Sequence, residues 1–123
     1  MIRNIFLVGL GGAIGSVARY LLQRWVNYTY PHQFPWGTFA VNFLGCLLIG
    51  LFWGISFRSF TSNENWKLFL MTGLCGGFTT FSAFTLDATN LLKENRVGIF
   101  FMYVAGSVLL GLLATYTGMK LTR

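Results

Sequence analysis

The sequence predicts an all-α integral membrane protein with four transmembrane helices per chain, the third of them broken. Three observations support this prediction. Hydrophobic residues make up 54% of the 123-residue chain and charged residues only 10%, whereas a typical soluble domain is about 25% charged. Four apolar segments each approach the roughly 20 residues that a bilayer requires. One of these segments contains adjacent glycines followed by a run of hydroxyl side chains.

The apolar segments fill nearly the whole chain, so we predict a single membrane domain over residues 1–123. The connections between them are short and polar or proline-containing. Trp25, Trp36 and Trp66 lie near the expected helix ends, where aromatic side chains favour the membrane–water interface. The predicted spans are 4–26, 37–57, 66–92 and 97–119.

Small residues recur at the four-residue spacing that lets membrane helices approach closely. We expect these pairs to mark helix–helix contacts. The pairs are Gly11 with Gly15, Gly50 with Gly54, Gly73 with Gly77, Ser107 with Gly111, and Ala114 with Gly118.

The chain's charges argue against an enzyme and against a nucleic-acid binder. The net charge is +6, but the basic residues are scattered and form no cluster. The acids are Glu64, Asp87 and Glu94, and none of them pairs with another. The single histidine, His32, lies in a proline-rich loop, so no nucleophile–base arrangement is visible.

The two cysteines show no sequence pattern of a metal or redox site. Cys46 and Cys75 fall in separate apolar runs, with neither a Cys-x-x-Cys motif nor a Cys/His spacing typical of metal ligands. Buried free thiols usually behave as small hydrophobic side chains. We therefore expect both cysteines to be chemically inert.

The third span contains the adjacent glycines Gly76 and Gly77, which are followed by several threonine and serine residues. Gly76 and Gly77 each cost a helix about 1 kcal/mol relative to alanine. A loosened turn is tolerated in lipid only where it is buried in protein or lines a polar cavity. From Trp66 to Gly76 the helix rises roughly 15 Å, about half of the hydrocarbon thickness. We therefore predict a break at Gly76–Thr80 near the membrane midplane, where such breaks form ion or substrate sites.

Several side chains near this break suit an anion. Phe81 and Phe84 lie three residues apart on one helix face, and the positive edges of their rings could replace water around a small anion. Asn42 either joins helices or faces a pore. Arg19 is either a functional buried charge or a cation that snorkels or caps carbonyl groups. Carbonyl groups freed at the break could hold a hard cation.

Positive charge is nearly balanced between the two membrane sides. Four spans place both termini on one side, which then carries Arg3, Arg58, Lys67, Lys120 and Arg123, while the other carries Arg19, Arg24, Lys93 and Arg96. A clear bias is needed to determine orientation. We therefore predict insertion in both orientations and an antiparallel, dual-topology homodimer, which recreates an inverted repeat.

Three motifs resemble those of the bacterial fluoride channels, the Fluc or CrcB family. They are G-G-A-I-G-S-V-A-R-Y at 11–20, W-G-T-F-A-V-N-F-L-G at 36–45, and G-G-F-T-T-F-S-A-F at 76–84. They occur in the family's order and the resemblance extends over nearly the whole chain. Small departures are Ala83 in place of a common threonine, Cys46 in place of a common serine, and Asp87 in place of a common glutamate.

The resemblance implies passive export of fluoride from the cytoplasm across the bacterial plasma (inner) membrane, through two pores in an antiparallel homodimer. It implies that Phe81 and Phe84 line the path and that Asn42 donates to fluoride. The polar side of the path would contain Ser82, Thr85, Tyr103 and Ser107. The carbonyls of Gly76 and Thr79 would hold a structural Na⁺ ion at the dimer centre.

Two alternatives remain for a protein of this size. A small dual-topology drug exporter would require a buried carboxylate, typically in its first helix, and no acid precedes Glu64. A non-transporting membrane assembly would not require the broken helix. Such an assembly should also tolerate replacement of Phe81 or Phe84 by alanine or methionine.

Overall fold

A computed structural model describes residues 1–29, 34–58 and 64–122 of the chain. Four helical segments in it are long and apolar enough to cross a membrane, which makes the chain a multi-pass membrane protein. They are Ile2–Thr29, Trp36–Ser56, Asn65–Lys93 and Val97–Thr122. The predicted loop residues Pro31 and His32, the residues 59–63 and the terminal Arg123 lie outside the described part.

The third span consists of several consecutive elements. The order is α1 (Ile2–Thr29), α2 (Trp36–Arg58), α3 (Glu64–Lys67), a π-helix π1 (Leu68–Cys75), α4 (Gly76–Phe78), α5 (Phe81–Lys93) and α6 (Val97–Thr122). The first and last helices extend beyond the predicted 4–26 and 97–119. Apolar runs mark the part of a helix inside the hydrocarbon, and backbone hydrogen bonding continues through the polar interface beyond it.

The break occupies only the last two residues of the predicted range Gly76–Thr80. Only Thr79 (φ −86°, ψ 157°) and Thr80 (φ −149°, ψ 122°) are extended. Gly77 is helical and packs against α1, since a methyl group added to it would lie 2.5 Å from the Gly12 carbonyl oxygen. The glycine pair therefore serves close helix packing, and the break follows it.

The π-helix π1 was not predicted by the apolar pattern, which cannot distinguish a π-helix from an α-helix. Its Gly73 lies against Gly11 of α1, and a methyl group on either glycine would come within 3.0 Å of the other's Cα atom. A methyl group on Gly15 would lie 2.9 Å from the Phe78 nitrogen. The predicted close contacts of these small residues are thereby confirmed for α1 and the third span.

Helices α2 and α6 pack along their length through small residues. A methyl group on Gly118 would lie 2.8 Å from the Leu51 nitrogen, and one on Gly50 would meet the Thr115 backbone. The Thr115 hydroxyl also donates to the Cys46 carbonyl at 3.0 Å. This pairing fixes α6 beside α2, while Gly45 of α2 lies against Thr79 of the third span.

One buried cluster joins α5 to α6 near one end of the bundle. Its centre is Tyr103, whose side chain is 0% exposed, with Ala88 and Leu91 of α5 around it. Phe84 packs against the same cluster from the side of the break. The cluster therefore holds α5 in place directly after the chain leaves the extended residues.

Candidate functional site

The break is held by the side-chain amide of Asn42 on α2. Its Oδ1 accepts a hydrogen bond from the Thr80 nitrogen at 2.9 Å, and its Nδ2 donates to the Thr80 carbonyl at 3.1 Å. Both backbone groups of an extended residue are thus satisfied by one side chain, as a membrane interior requires. Of the two interpretations of Asn42, joining helices is confirmed. One amide N–H remains free of these contacts, so donation to fluoride stays a prediction.

Thr80 also begins α5. Its hydroxyl accepts a hydrogen bond from the Ala83 nitrogen at 3.2 Å, which is the geometry of a helix N-cap. Sequence analysis did not single out Thr80, although a threonine at the start of a helical pattern is a recognised N-cap signal. The residue therefore combines two tasks, ending the break and starting the next helix.

These contacts leave two backbone carbonyls without their usual helical donors. The Thr80 nitrogen donates to Asn42 and not to the Gly76 carbonyl, and the Ala83 nitrogen donates to a hydroxyl and not to the Thr79 carbonyl. Neither Gly76 nor Thr79 thus receives the hydrogen bond that an unbroken helix supplies. Oxygen atoms of this kind are ligands for hard cations such as Na⁺. The residues present fit the predicted sodium site.

Arg19 on α1 also contacts the backbone beside this break. Its Nε donates to the Gly77 carbonyl at 3.2 Å, and its side chain is partly buried. This carbonyl lies in the last turn of α4, where the helix dipole favours a positive charge. Carbonyl capping, one of the interpretations offered for Arg19, is confirmed.

The aromatic side chains form a file that runs from the protein surface into the core. The ring centroids of Phe81 and Phe84 are 5.8 Å apart with their planes at 39°, and those of Phe84 and Tyr103 are 5.1 Å apart at 42°. Phe81 is 76% exposed and Tyr103 fully buried. The structure thus brings Phe81 and Phe84, which are predicted to line the path, together with Tyr103, which is predicted to lie on its polar side.

Two buried hydroxyls on α6 have no hydrogen-bond partner among the described residues. They belong to Tyr103 and Ser107, one helical turn apart on α6. The Tyr103 hydroxyl lies near Thr38 and Asp87, but in no hydrogen-bonding geometry with either. Leaving such a group unsatisfied costs about 1–3 kcal/mol. The arrangement offers donors to a small polar species that reaches it.

The other two predicted polar residues are engaged with the chain itself. The Ser82 hydroxyl lies 3.3 Å from that of Thr80, and the Thr85 hydroxyl donates to the Ser82 carbonyl at 2.9 Å. Both residues are exposed in the single chain. The Thr85 hydroxyl therefore donates to the backbone, whereas the Ser82 hydroxyl is hydrogen-bonded to the Thr80 hydroxyl beside the break.

Most of the predicted site residues line one cavity of about 610 Å³. It lies between α2, the third span and α6. Predicted site residues in its wall are Asn42, Gly76, Thr79, Phe81, Phe84 and Ser107, and further lining residues are Gly45, Cys46, Ile49, Met71, Thr72, Cys75, Thr80 and Val108. The predicted residues Arg19, Ser82, Thr85 and Tyr103 lie outside this wall. No carboxylate in the described part of the chain lines the cavity.

A second, more polar pocket of about 370 Å³ lies at one end of the bundle. Its wall contains Asn27, Phe34, Pro35, Thr38, Asp87, Asn90, Leu91, Glu94 and Arg96. Arg96 forms an ion pair with Glu94 at 3.2 Å. Because Thr38 and Asp87 also lie near the Tyr103 hydroxyl, the pocket is a polar approach to the inner end of the aromatic file.

The family model for CrcB-like proteins, described as camphor resistance (CrcB), matches residues 6–119. The chain belongs to the CrcB family. The match extends over all four spans and includes the break, the Asn42 contact and both phenylalanines. The family resemblance stated from the three motifs is thereby confirmed.

Curated relatives of this CrcB chain carry the name fluoride-specific ion channel FluC. That of Flavobacterium psychrophilum is 46% identical over 121 residues, which is 98% of each chain. That of Phocaeicola vulgatus is 47% identical over 116 residues, 94% of this chain and 95% of the relative. That of Bacteroides fragilis is 50% identical over 119 residues, 94% and 93%. These relatives are channels, so the expectation that the chain is not an enzyme is confirmed.

Proposed function

We propose that this CrcB chain is a fluoride-selective channel that exports fluoride passively from the bacterial cytoplasm. The names of its relatives support a fluoride channel. The observation that carries the proposal is the file of rings from Phe81 through Phe84 to Tyr103, together with the buried hydroxyls of Tyr103 and Ser107, which have no hydrogen-bond partner among the described residues.

The chemistry of this file suits fluoride. The edge of a phenyl ring carries partial positive charge, so ring edges attract an anion more weakly than a lysine or arginine would. The hydroxyls of Tyr103 and Ser107 then supply hydrogen bonds in place of water. An ion that is bound weakly at several successive positions is able to enter and to leave, which conduction requires.

The functional unit in this proposal is an antiparallel, dual-topology homodimer with two pores. Phe81 is 76% exposed in the single chain although it lies beside the break, and it lines the partly open 610 Å³ cavity. A second copy in the opposite orientation would cover both. The nearly equal number of basic residues on the two sides supports insertion in both orientations. Two-fold symmetry then makes two equivalent pores.

We propose that a structural Na⁺ ion lies at the dimer centre, held by the carbonyls of Gly76 and Thr79. The two carbonyls lack helical donors, and two chains related by symmetry would together supply four oxygen ligands. When bound, the ion would offset the negative ends of the interrupted helices. The chain's own contribution is the rigid break that Asn42 and Arg19 maintain.

Export in the plasma (inner) membrane follows from the energetics of an anion. Fluoride that enters as neutral hydrofluoric acid ionises in the cytoplasm and is then retained as a charged species. The membrane potential acts on one charge with about 2.3 kcal/mol per 100 mV. A cytoplasm at negative potential therefore drives the anion outward, and a passive channel needs no coupled energy source.

The drug-exporter alternative finds no support in the cavity. Proton-coupled export of a cationic drug requires a carboxylate that can exchange the drug for a proton. Among the residues that the structure describes, no carboxylate lines the cavity between α2, the third span and α6. The acids Asp87 and Glu94 line the separate pocket at the end of the bundle.

Liposomes loaded with potassium fluoride test the proposal. Purified protein is reconstituted, valinomycin is added to dissipate the potential, and efflux is recorded with a fluoride electrode. We expect rapid fluoride release, with no chloride release from matched chloride-loaded vesicles. Absence of fluoride release from protein shown to be a folded dimer would contradict the proposal and favour the non-transporting assembly.

A further inference from the structure

Helix α1 contacts the rest of the bundle through one row of residues spaced four apart, so that they are neighbours on the helix surface. Methyl groups on the two glycines of this row would meet backbone atoms of the third span. Two polar members bond to backbone groups, Arg19 to the Gly77 carbonyl and Asn27 to the Gly37 nitrogen. Gln23, between them, bonds instead to a side chain. The row consists of Gly11, Gly15, Arg19, Gln23 and Asn27.

The partner of Gln23 is a buried threonine on α2. The Gln23 Nε2 atom donates to the Thr38 Oγ1 atom at 3.2 Å. Thr38 lies in the first turn of α2 and is 7% exposed. A hydroxyl oxygen has two lone pairs and carries one proton, and the bond from Gln23 uses a lone pair. The Thr38 proton therefore remains available to another acceptor.

The Tyr103 hydroxyl is the acceptor that the fold brings near Thr38. It is fully buried and has no hydrogen-bond partner among the described residues. Buried polar groups are nearly always hydrogen-bonded. We therefore expect a small side-chain adjustment to bring the Thr38 proton to the Tyr103 oxygen.

We propose that Gln23 is a positioning residue for the fluoride path, because through Thr38 it sets the direction in which the Tyr103 hydroxyl donates. The inference rests on the proposed function. The Gln23 amide donates to the Thr38 oxygen, the Thr38 hydroxyl donates to the Tyr103 oxygen, and the Tyr103 proton is left for an anion. Consecutive hydrogen bonds that point the same way strengthen one another.

The direction of these bonds matters because fluoride accepts hydrogen bonds and has no proton to donate. If the Tyr103 hydroxyl donated to Thr38, an arriving fluoride ion would meet oxygen lone pairs. A hydroxyl that already accepts one hydrogen bond becomes a stronger donor through polarisation. The bond from Gln23 therefore favours donation by Thr38 and opposes the reversed arrangement.

Asp87 on α5 does not reverse this direction. It lies near the Tyr103 hydroxyl, and an ionised carboxylate only accepts hydrogen bonds. Asp87 and Thr38 both line the polar pocket of about 370 Å³ at the end of the bundle. Fluoride that arrives through this pocket would thus compete with Asp87 for the same Tyr103 proton.

Fluoride release at a low protein-to-lipid ratio distinguishes positioning from a merely structural role. The fraction of vesicles that empty counts the folded channels, whereas the rate of release describes each channel. Gln23→Met keeps the length of the side chain and removes the amide. We expect a release rate about five- to tenfold lower, because a hydrogen bond to a charged ion is weakened, with the fraction of emptied vesicles unchanged.

Double variants show whether Gln23 acts through Thr38. Thr38→Val removes the hydroxyl at similar volume, and in this background Gln23→Met should change the rate by less than about twofold. Thr38→Ser keeps a hydroxyl, and in this background Gln23→Met should again lower the rate about five- to tenfold. In the Tyr103→Phe background, which lacks the final donor, Gln23→Met should have no further effect.

Asn27→Leu is the matched control, since it removes an amide of the same row that bonds to backbone. Its effect on the rate should be the same with threonine or valine at position 38. An Asn27→Leu effect that disappears with Thr38→Val would show that the coupling is not particular to Gln23, and would overturn the positioning role.

The remaining outcomes separate this inference from the proposed channel. Independent, multiplying losses from Gln23→Met and Thr38→Val would overturn the positioning role and leave the channel intact. The same holds for a Gln23→Met variant that empties fewer vesicles at an unchanged rate. Absence of release from wild-type vesicles would instead overturn the proposed function, and this inference with it.

Discussion

Asn42 and Thr80 are joined by two hydrogen bonds, of 2.9 Å and 3.1 Å, between one side-chain amide and both backbone groups of one residue. They lie on different spans and 38 residues apart. The contact determines where the third span is extended, which carbonyls lose their helical donors and how α2 is aligned with π1.

Asn42→Ala should destabilise the protein and reduce fluoride release together. The substitution leaves the Thr80 nitrogen and carbonyl without partners, at a cost of about 1–3 kcal/mol for each group that water does not reach. We expect a lower unfolding temperature in detergent and at least about tenfold slower efflux. Asn4→Ala, which removes an exposed asparagine at the start of α1, is the control. Unchanged stability of Asn42→Ala would show that the contact is dispensable.

Phe81→Ile should reduce fluoride release strongly while the protein stays dimeric. Isoleucine keeps the apolar volume but has no ring edge to meet an anion. The measurement is liposome efflux, with the molar mass in detergent determined by light scattering. Phe101→Ile on α6 is the matched control, since that phenylalanine is also exposed, at 63%. Efflux equal to that of the control would exclude a role for the Phe81 ring edge.

Gly77→Ala should disrupt the contact between α1 and the third span. The new methyl group would lie 2.5 Å from the Gly12 carbonyl oxygen and 2.9 Å from the Gly12 Cα, and neither helix backbone is able to move by itself. We expect a loss of about 1–3 kcal/mol in stability. Gly9→Ala has nothing within 4 Å and should gain up to about 1 kcal/mol from helix propensity. Thermal unfolding of the two variants side by side tests the difference.

Removal of sodium should weaken the assembly without unfolding the helices. If carbonyls from two chains share one Na⁺, exchange of Na⁺ for a large organic cation leaves those oxygens close together and uncompensated. We expect slower fluoride release and a smaller dimer fraction, with helical circular dichroism unchanged and full recovery when Na⁺ is restored. Full activity after exhaustive exchange would contradict a sodium site at Gly76 and Thr79.

The untagged chain should insert in both orientations in similar amounts. Addition of several lysines to the loop between Lys93 and Arg96 should bias one orientation, because that side then carries a clear excess of positive charge. Labelling of single cysteines introduced at the termini of a cysteine-free variant, from either side of the membrane, measures the two populations. A single orientation of the untagged chain would refute the charge argument.

The resemblance to known channels was visible in the sequence because it depends on consecutive residues. The run from Gly76 to Phe84 is read directly along the chain. The position of the break within the third span was harder to predict from the sequence. Gly77 has a low helix propensity, but contact with Gly12 on another helix holds it in helical geometry, and propensity measured along one chain does not include that contact.

The sequence by itself determined four spans, an interrupted third helix, the close packing of small residues and the family of the chain. All of these depend on composition and on spacing along one helix, which local hydrogen bonding makes regular. Only the tertiary structure decided that Asn42 binds Thr80 and that Arg19 donates to the Gly77 carbonyl. These relationships depend on the register between helices, which is set by side chains that meet across a distance in sequence.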